Sequence, residues 1–234
     1  MGKSTSAEEW AARAAACELL ALSLRYPDEA LHGIVASGEW ACAADEIAAA
    51  LGVALPDDWA EGAASTDFHD LRADATMLFV GAPKAACSPF EGYWRAEDAG
   101  VQPLMFVNPH SVAVERFCRA CGLGQPEGVN EPLDHVATEL ELLEYLASVE
   151  AGIGEPVPEG PAPGELPGGS AGAAWEEFVR DHLLAFAPRF AARLAADART
   201  AYYRATGRLL GAFAAYATDA ADAEGASGAA GGVA

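Results

Sequence analysis

Alanine occupies 55 of the 234 positions, and no other feature of this sequence restricts the fold class as strongly. Alanine is the residue that a helix accommodates at the lowest free-energy cost. Valine, isoleucine and threonine, whose branched side chains favour strands, together fill only 23 positions. The composition therefore predicts an all-α protein.

Apolar residues recur at steps of three and four between ordinary helix start and stop signals. In the first segment, Ser6 and Glu9 have the spacing of a capping box, and Pro27 ends the run. The helices predicted before residue 150 span 6–26, 28–37, 39–51, 66–80, 109–121 and 132–149, and residues 82–107 are predicted to be a loop. With the helices that follow, the pattern predicts a single bundle-like domain of about eight or nine helices.

Residues 150–174 are crowded with glycine and proline and contain no basic residue. This composition is typical of a flexible linker that forms no packed element. It divides the predicted domain, residues 1–218, into an N-terminal part (1–149) and C-terminal helices (175–218). Residues 219–234, rich in alanine, glycine and aspartate, are predicted to be a disordered tail.

The formal net charge of −21 limits the classes of partner. Nucleic acids and anionic membrane surfaces both require a cationic protein surface, so neither is expected. A basic partner suits the charge, although a surface that merely keeps the protein soluble also accounts for it. No apolar run reaches the roughly 18 residues of a membrane-spanning helix. The N-terminus lacks the apolar core of a signal peptide, so we expect a cytoplasmic protein.

Five cysteines, an odd number, are expected to be free thiols in a reducing compartment. Cys118 and Cys121 form a C-x-x-C, which in a metal site is normally accompanied by a second Cys or His pair. No such pair follows, and the two positions also fit the buried side of a predicted helix. We therefore expect no bound metal.

The stretch NEPLDHVATELELLEYL, residues 130–146, carries the strongest functional signal. Glu131, Asp134 and His135 lie at the start of a predicted helix, and Pro132 suits its first turn. Carboxylates and imidazole are the groups that acid–base catalysis and metal binding use. Acids at a helix start are also ordinary partners of the helix dipole.

Wound as a helix, this stretch has two distinct faces. The predicted core face consists of Leu133, Val136, Leu140, Leu143 and Ala147. The opposite face consists of Glu131, Asp134, Thr138, Leu142 and Tyr145, with His135 at its edge. Carboxylates that lead into an apolar and aromatic strip favour a surface for a basic group followed by a hydrophobic segment.

The residues alone leave three interpretations open: a catalytic or metal site, a docking surface, and a well-capped helix. A catalytic or metal site needs further partners, and the other four histidines are scattered along the chain. The sequence also contains neither a phosphate-binding G-x-x-x-x-G-K-[ST] loop nor a G-x-S-x-G elbow. No catalytic residue is assigned.

The segment EPLDH followed by VATELELLEYLA resembles the E-P-x-D-H motif and following helix of the TorD/DmsD/NarJ family of chaperones. Further segments resemble this family in the same order. They are LRADATMLFVG; SPFEGYW, which is similar to the family's P-x-E-S-x-Y loop with Gly92 at the Ser position; and FVRDHLLAFAPRFAARLAADARTAYYRATGRLL. The resemblance covers roughly residues 65–215.

The resemblance implies an all-helical cytoplasmic protein that is not an enzyme and has no cofactor of its own. Such chaperones bind the catalytic subunit of a molybdopterin-dependent oxidoreductase, or its twin-arginine signal peptide, until the molybdenum cofactor is inserted. The client-binding residues that it and the helical pattern together predict are Phe90, Glu91, Tyr93, Glu131, Pro132, Asp134, His135, Thr138, Leu142 and Tyr145. The protein is expected to be a monomer or a homodimer that exchanges its C-terminal helices across the linker.

This implication agrees with the chemistry of the residues. A twin-arginine signal presents two guanidinium groups, which carboxylates bind in charge-assisted hydrogen bonds, and then an apolar segment that a groove can bind. The main alternative is a small helical enzyme or metalloprotein that uses Asp134 and His135 with Cys118 and Cys121. A generic helical adaptor is a third hypothesis.

Overall fold

A computed structural model describes residues 5–82, 84–101, 108–124 and 132–230, with only the backbone described for 221–230. Most of these residues are helical, and none of them forms a strand, as predicted. The helices are α1 (Ala7–Leu24), α2 (Glu29–Ser37), α3 (Glu39–Leu51), α4 (Phe68–Ala75), α5 (Glu91–Asp98), α6 (Pro109–Ala120), α7 (Val136–Ala151), α8 (Ala171–Phe178), α9 (Leu184–Asp197) and α10 (Ala201–Ala230). A π-helical turn extends α4 to Val80, and another joins α8 to α9 in one continuous helix.

Helix α7 forms the centre of the domain, packed along α1 on one side and against α8 on another. The pair α1–α7 is antiparallel, since Arg25 after the end of α1 bonds to Glu141 near the start of α7. Val136, Leu140 and Leu143, three residues of the predicted core face, are fully buried. Burial of one such side chain stabilises a fold by about 1.5–3 kcal/mol. Helices α9 and α10 form a second antiparallel layer.

Arg13 joins the first helix to the last helices. Its guanidinium lies 4.3 Å from the ring centre of Trp10 and 4.8 Å from that of Trp175 in α8. Its Nε donates to the hydroxyl of Tyr216 in α10 (2.9 Å), and Nη2 pairs with Glu9 (3.2 Å). A buried cation surrounded by aromatic faces and one carboxylate is stabilised by cation–π and charge-assisted contacts. Arg13 therefore links α1 to α8 and α10.

Three predicted boundaries are wrong. Residues 91–98, within the predicted loop 82–107, form α5. Helix α4 begins at Phe68 instead of 66, because it is capped by Asp67, whose carboxylate accepts from the backbone of His69 (2.8 Å). Helix α7 begins at Val136 instead of 132, because His135 is its N-cap.

The segment 150–174 contains more structure than its composition indicates. Residues 163–169 form two 3₁₀ turns, and α8 starts at Ala171. Leu166 is buried against the core, and the Gly172 amide donates to the Glu150 carboxylate (2.8 Å). These contacts pin the second half of the segment, so the prediction that it forms no folded element is wrong there.

The predicted disordered tail also differs from the structure. Helix α10 continues to Ala230, so residues 219–230 are helical in backbone. Residues 231–234 lie outside the described residues. Alanine supports this extension, since it costs the helix nothing even without tertiary packing. The exchange of C-terminal helices between two chains stays a prediction.

Within 150–174, the first cuts of limited proteolysis should fall between residues 153 and 165. Residues there are mostly exposed, whereas Leu166, Ala171 and Ala174 are buried, and proteases select exposed chain that packs poorly. Mass spectrometry of early fragments from a low-specificity protease locates the cuts. A first cut between 166 and 174 would show that the contacts of Leu166 and Gly172 do not hold.

Candidate functional site

The N-termini of α5, α6 and α7 meet around one buried carboxylate, that of Asp134, which is 1% exposed. Its backbone oxygen accepts from the amide of Glu91, and its Oδ2 accepts from the amide of Gly92, both at 2.9 Å. Oδ2 also accepts from the hydroxyl of Ser111 in the first turn of α6 (2.7 Å). Asp134 therefore satisfies the free amides at the start of α5 from a distant part of the chain.

Asn108 completes this junction from α6. Its side-chain amide donates to the carbonyl of Gly92 (2.6 Å), and its Oδ1 accepts from the amide of His110 (3.0 Å). A Cβ added at Gly92 would lie 2.5 Å from Nδ2 of Asn108 and 2.9 Å from Oδ2 of Asp134. The glycine at the loop's Ser position is therefore required by the close approach of these two side chains.

The two segments of the predicted site are joined directly. Phe90 and His135 form an isolated antiparallel bridge, flanked by the bond from the amide of Val136 to the carbonyl of Pro89 (2.8 Å). The His135 ring also contacts the Phe90 ring edge to face, with 5.3 Å between centres. The Phe90–His135 bridge thus brings together residues 45 positions apart in the chain.

His135 is neutral near pH 7. Burial, and then the charge of Arg25, lower its pKa to about 4. Its Nδ1 accepts from the amide of Ala137 (3.1 Å), which places the proton on Nε2. The imidazole therefore caps α7 and keeps one N–H donor at its far edge.

Glu91 is fully buried at the start of α5 and has two cationic or basic neighbours. Its Oε2 lies 2.9 Å from Nδ1 of His182, in the π turn between α8 and α9. Its Oε1 forms an ion pair with Arg95, one turn later in α5 (3.3 Å). The guanidinium of Arg95 also donates to the carbonyl of Asp181 (3.0 Å). Glu91 therefore ties α5 to the C-terminal helices.

Glu139, in the first turn of α7, is the most unusual group of the site. It is 1% exposed, and no group within the described part of the chain donates a hydrogen bond to either carboxyl oxygen. In its protonated form it hydrogen-bonds to Glu91. Burial, and then the neighbouring charges of Glu91 and Asp134, raise its pKa well above the ordinary value. Glu139 is thus a buried acid that favours its protonated form.

The prediction that Asp134 lies on an exposed face is wrong. Asp134 and Glu91 are 1% and 0% exposed, because both serve as internal partners of helix ends. Leu142 is likewise buried in the core instead of lining a groove, since α7 is surrounded by other helices. The prediction that these three side chains contact a client from the surface is therefore not supported by their positions.

Other predicted residues are distributed around the junction. Phe90, Pro132, His135 and Thr138 are half-buried and lie near its outer side. Tyr145 is half-buried about two turns beyond Thr138 in α7, where its hydroxyl accepts from the amide of residue 157 (3.3 Å). Glu131 lies outside the described residues.

Tyr93 is separated from the junction. It follows Glu91 by two positions in α5 and so faces another side of that helix. Its hydroxyl donates to Glu97 (3.2 Å), and the ammonium group of Lys84 lies 4.9 Å from its ring centre. These side chains line a surface pocket of about 220 Å³ together with Trp94 and Arg193.

The C-x-x-C thiols belong to the core. Cys118 and Cys121 are 4% and 0% exposed, and burial raises the pKa of each to about 12. Protonated, enclosed thiols are poor metal ligands and poor nucleophiles. Within the described ranges, no three His, Cys, Asp or Glu side chains are grouped to hold a metal ion. No described helix is both long and apolar enough to cross a bilayer.

Sequence patterns did not predict every residue of this site. Glu139, His182 and Arg95 were missed because their neighbours come from other helices, and no spacing encodes such contacts. Ser111 had one signal, its place in the first turn after the Asn108-Pro109 start, where a hydroxyl can meet a neighbouring segment.

A comparison with family models matches residues 37–192, about two thirds of the chain, to the nitrate reductase delta subunit family. The matched range contains α3 to α8, the Phe90–His135 bridge and the buried acids around it. Among curated proteins, none matches the chain significantly.

Gly92→Ala should destabilise the protein by about 1–3 kcal/mol, because the new methyl group overpacks the contact with Asn108. Urea unfolding followed by circular dichroism measures the change. Gly33→Ala is the matched control, since Gly33 is in α2 with no atom within 4 Å of an added Cβ. This control should gain about 0.5–1 kcal/mol. Equal effects at both positions would contradict the close approach at Gly92.

Glu139→Gln should raise the melting temperature at pH 8, with the gain disappearing as the pH falls towards 4.5, the ordinary pKa of a glutamate. A raised pKa in the folded state favours folding with the proton bound. Protonated Glu139 contributes its full stability at a pH below the pKa of the unfolded state. This stability is lost as the pH rises through the pKa of the folded state. The other charged groups that face Glu139 are Glu91, Asp134 and Arg95.

Thermal melts of this variant and the wild type between pH 4.5 and 8 provide the measurement. Glu18→Gln, at an exposed position of α1, is the control and should show no such trend. A stability difference for Glu139→Gln that is constant across this range would contradict the raised pKa.

Proposed function

Because this chain belongs to the nitrate reductase delta subunit family, whose members are chaperones that mature molybdenum-containing enzymes, we propose that it binds the twin-arginine signal peptide of its client. The client is the catalytic subunit of a molybdopterin-dependent oxidoreductase. The protein acts in the cytoplasm and holds this subunit until the cofactor is in place and the subunit is exported or assembled.

The observation that carries this proposal is the Phe90–His135 bridge. It brings the two sequence segments that resemble the chaperone motifs into one hydrogen-bonded unit, although they are far apart along the chain. The bridge leaves Phe90, Pro132, His135 and Thr138 partly accessible at its outer side. These four side chains offer aromatic and apolar surface, one imidazole N–H donor and one hydroxyl to a peptide.

The buried acids of the motif have a different task from the one that the sequence indicated. Asp134 joins the starts of α5, α6 and α7, and Glu91 ties α5 to the C-terminal helices, so both position the accessible residues instead of binding the guanidinium groups of a client. The arginines of the client are then bound by carboxylates at the surface. A net charge of −21 supports this role, since it attracts a cationic segment over a distance of about 8–10 Å at ordinary salt.

The enzyme alternative is less well supported by the same geometry. Asp134 accepts hydrogen bonds from Gly92 and Ser111 and has 1% exposure, so it is not free to exchange a proton with a substrate. His135 has its Nδ1 occupied as a helix cap. A general acid–base pair needs groups that reach a substrate.

A peptide with the Arg-Arg pair and the following apolar segment should bind the protein, and replacing the pair by Gln-Gln should weaken binding. A Lys-Lys peptide should lie between them, because ammonium groups do not form the bidentate bonds of guanidinium. Isothermal titration calorimetry of the full chain measures all three, at about 50 and 300 mM salt, where screening of exposed charges differs strongly.

The affinity for the Arg-Arg peptide should fall with salt more steeply than that for the Gln-Gln peptide. A peptide of scrambled sequence and equal charge controls for non-specific attraction to the acidic surface. Equal affinity for the Arg-Arg and Gln-Gln peptides at both salt concentrations would refute signal-peptide recognition.

A further inference from the structure

An arginine of this chain already occupies an exposed carboxylate beside the Phe90–His135 bridge. Arg25, just after the end of α1, donates from both Nε (2.6 Å) and Nη2 to Oε1 of Glu141 in α7. The two side chains are 61% and 37% exposed. Glu141 lies in α7, the helix whose N-cap is His135 of the bridge, six positions after that residue. The charge of Arg25 also lowers the pKa of His135.

Exposed apolar side chains continue from this ion pair. Leu22 precedes Arg25 by one turn and is 39% exposed, and Tyr26 follows it and is 51% exposed. The hydroxyl of Tyr26 lies 3.2 Å from Oγ1 of Thr76, and Val80, one turn after Thr76, is 63% exposed. We call Leu22, Arg25, Tyr26, Val80 and Glu141 the Glu141 strip.

Exposed apolar side chains are concentrated in the Glu141 strip. Leu22, Tyr26 and Val80 are half of the large apolar side chains that are exposed among the described residues. Two further acids flank the strip, since Glu18 lies one turn before Leu22 and Glu144 one turn after Glu141. A second arginine also contacts the strip, since the guanidinium of Arg72 lies 5.3 Å from the ring centre of Tyr26. The strip and its flanks therefore place three acids and two arginines beside an apolar surface.

We propose that Arg25 is an internal substitute for an arginine of the client, which displaces it from Glu141, while the apolar segment of the client covers Leu22, Tyr26 and Val80. This inference rests on the proposed function and identifies Glu141 as the carboxylate that binds an arginine of the client. The occupant is an arginine-containing peptide with an adjoining apolar stretch, because this chemistry complements both the acids and the apolar surface of the strip.

When a client arginine displaces Arg25 from Glu141, one guanidinium–carboxylate pair replaces another of similar free energy. Breaking the exposed Arg25–Glu141 pair has a small cost, since such pairs contribute little in water. The client pair then replaces it, and burial of apolar surface supplies the net gain. Arg25 therefore lowers the affinity for any arginine peptide and leaves Glu141 shielded from other cations when no client is bound.

Competition of this kind gives a specific pattern in variants. Arg25→Gln should bind the Arg-Arg peptide about two- to fivefold more tightly than the wild type, because Glu141 is free. Glu141→Gln alone should change the affinity less, because wild-type binding first breaks the internal pair. The double variant should lose the gain of Arg25→Gln, which a double-mutant cycle reports as coupling between the two positions.

The matched control is another exposed Arg–Glu pair, Arg119 and Glu115 in α6, with side-chain exposures of 71% and 38%. Arg119→Gln changes the net charge as Arg25→Gln does, and should leave the affinity within about 1.5-fold of the wild type if only general attraction acts on it. Calorimetric titrations at one salt concentration compare all variants, and thermal melts confirm that each is folded.

The apolar part of the strip has its own variants. Val80→Ser should weaken binding of both the Arg-Arg and the Gln-Gln peptide, because the removed contact is apolar. Ile153→Ser is the control, since Ile153 is 67% exposed but lies past the opposite end of α7. Equal affinities of these two variants would exclude Val80 from the site.

The outcomes separate the two proposals. If the wild type prefers Arg-Arg over Gln-Gln but Arg25→Gln behaves like Arg119→Gln, the Glu141 strip is refuted while signal-peptide recognition stands. A gain in Arg25→Gln that persists in the double variant also refutes it, since the gain then does not arise at Glu141. If the wild type does not distinguish the peptides, both proposals fall.

Discussion

The buried carboxylate of Asp134 is the group on which the functional half of the fold depends. Three helices begin around it, and amides at a helix start must find an acceptor once water is excluded. Oδ2 of Asp134 accepts from the amide of Gly92 and from the hydroxyl of Ser111, while its backbone oxygen accepts from the amide of Glu91. Without this side chain, the start of α5 would lose an acceptor inside the protein, where such a loss is expensive.

The acids buried around this junction repel one another when they are ionised. Glu91 is balanced by Arg95 and His182, but Glu139 has no such partner among the described residues and is held next to other acids. Burial and these like charges raise the pKa of Glu139, so the fold carries an electrostatic cost near neutral pH.

The two proposals assign recognition and positioning to different residues. Inner acids arrange the helix ends, and in the proposed complex the accessible side chains around the Phe90–His135 bridge and the Glu141 strip meet the client. Under this proposal, Asp134 and Glu91 support arginine binding although both are buried. The selective step is then proposed to occur at a surface ion pair, which contributes little free energy in water.

The sequence alone determined what depends on local chemistry. Alanine content and apolar spacing predicted the all-helical class, the capping signal at Ser6 predicted the start of α1, and the resemblance identified the family. The prediction failed where partners come from elsewhere. Helix α5 was missed because a distant side chain caps it, and the exposed face predicted for α7 is wrong because other helices cover Leu142. Only the tertiary structure decided that Asp134 is internal and that Arg25 meets Glu141. Exposure and pairing are properties of the packed helices, and residue spacing along one helix cannot encode them.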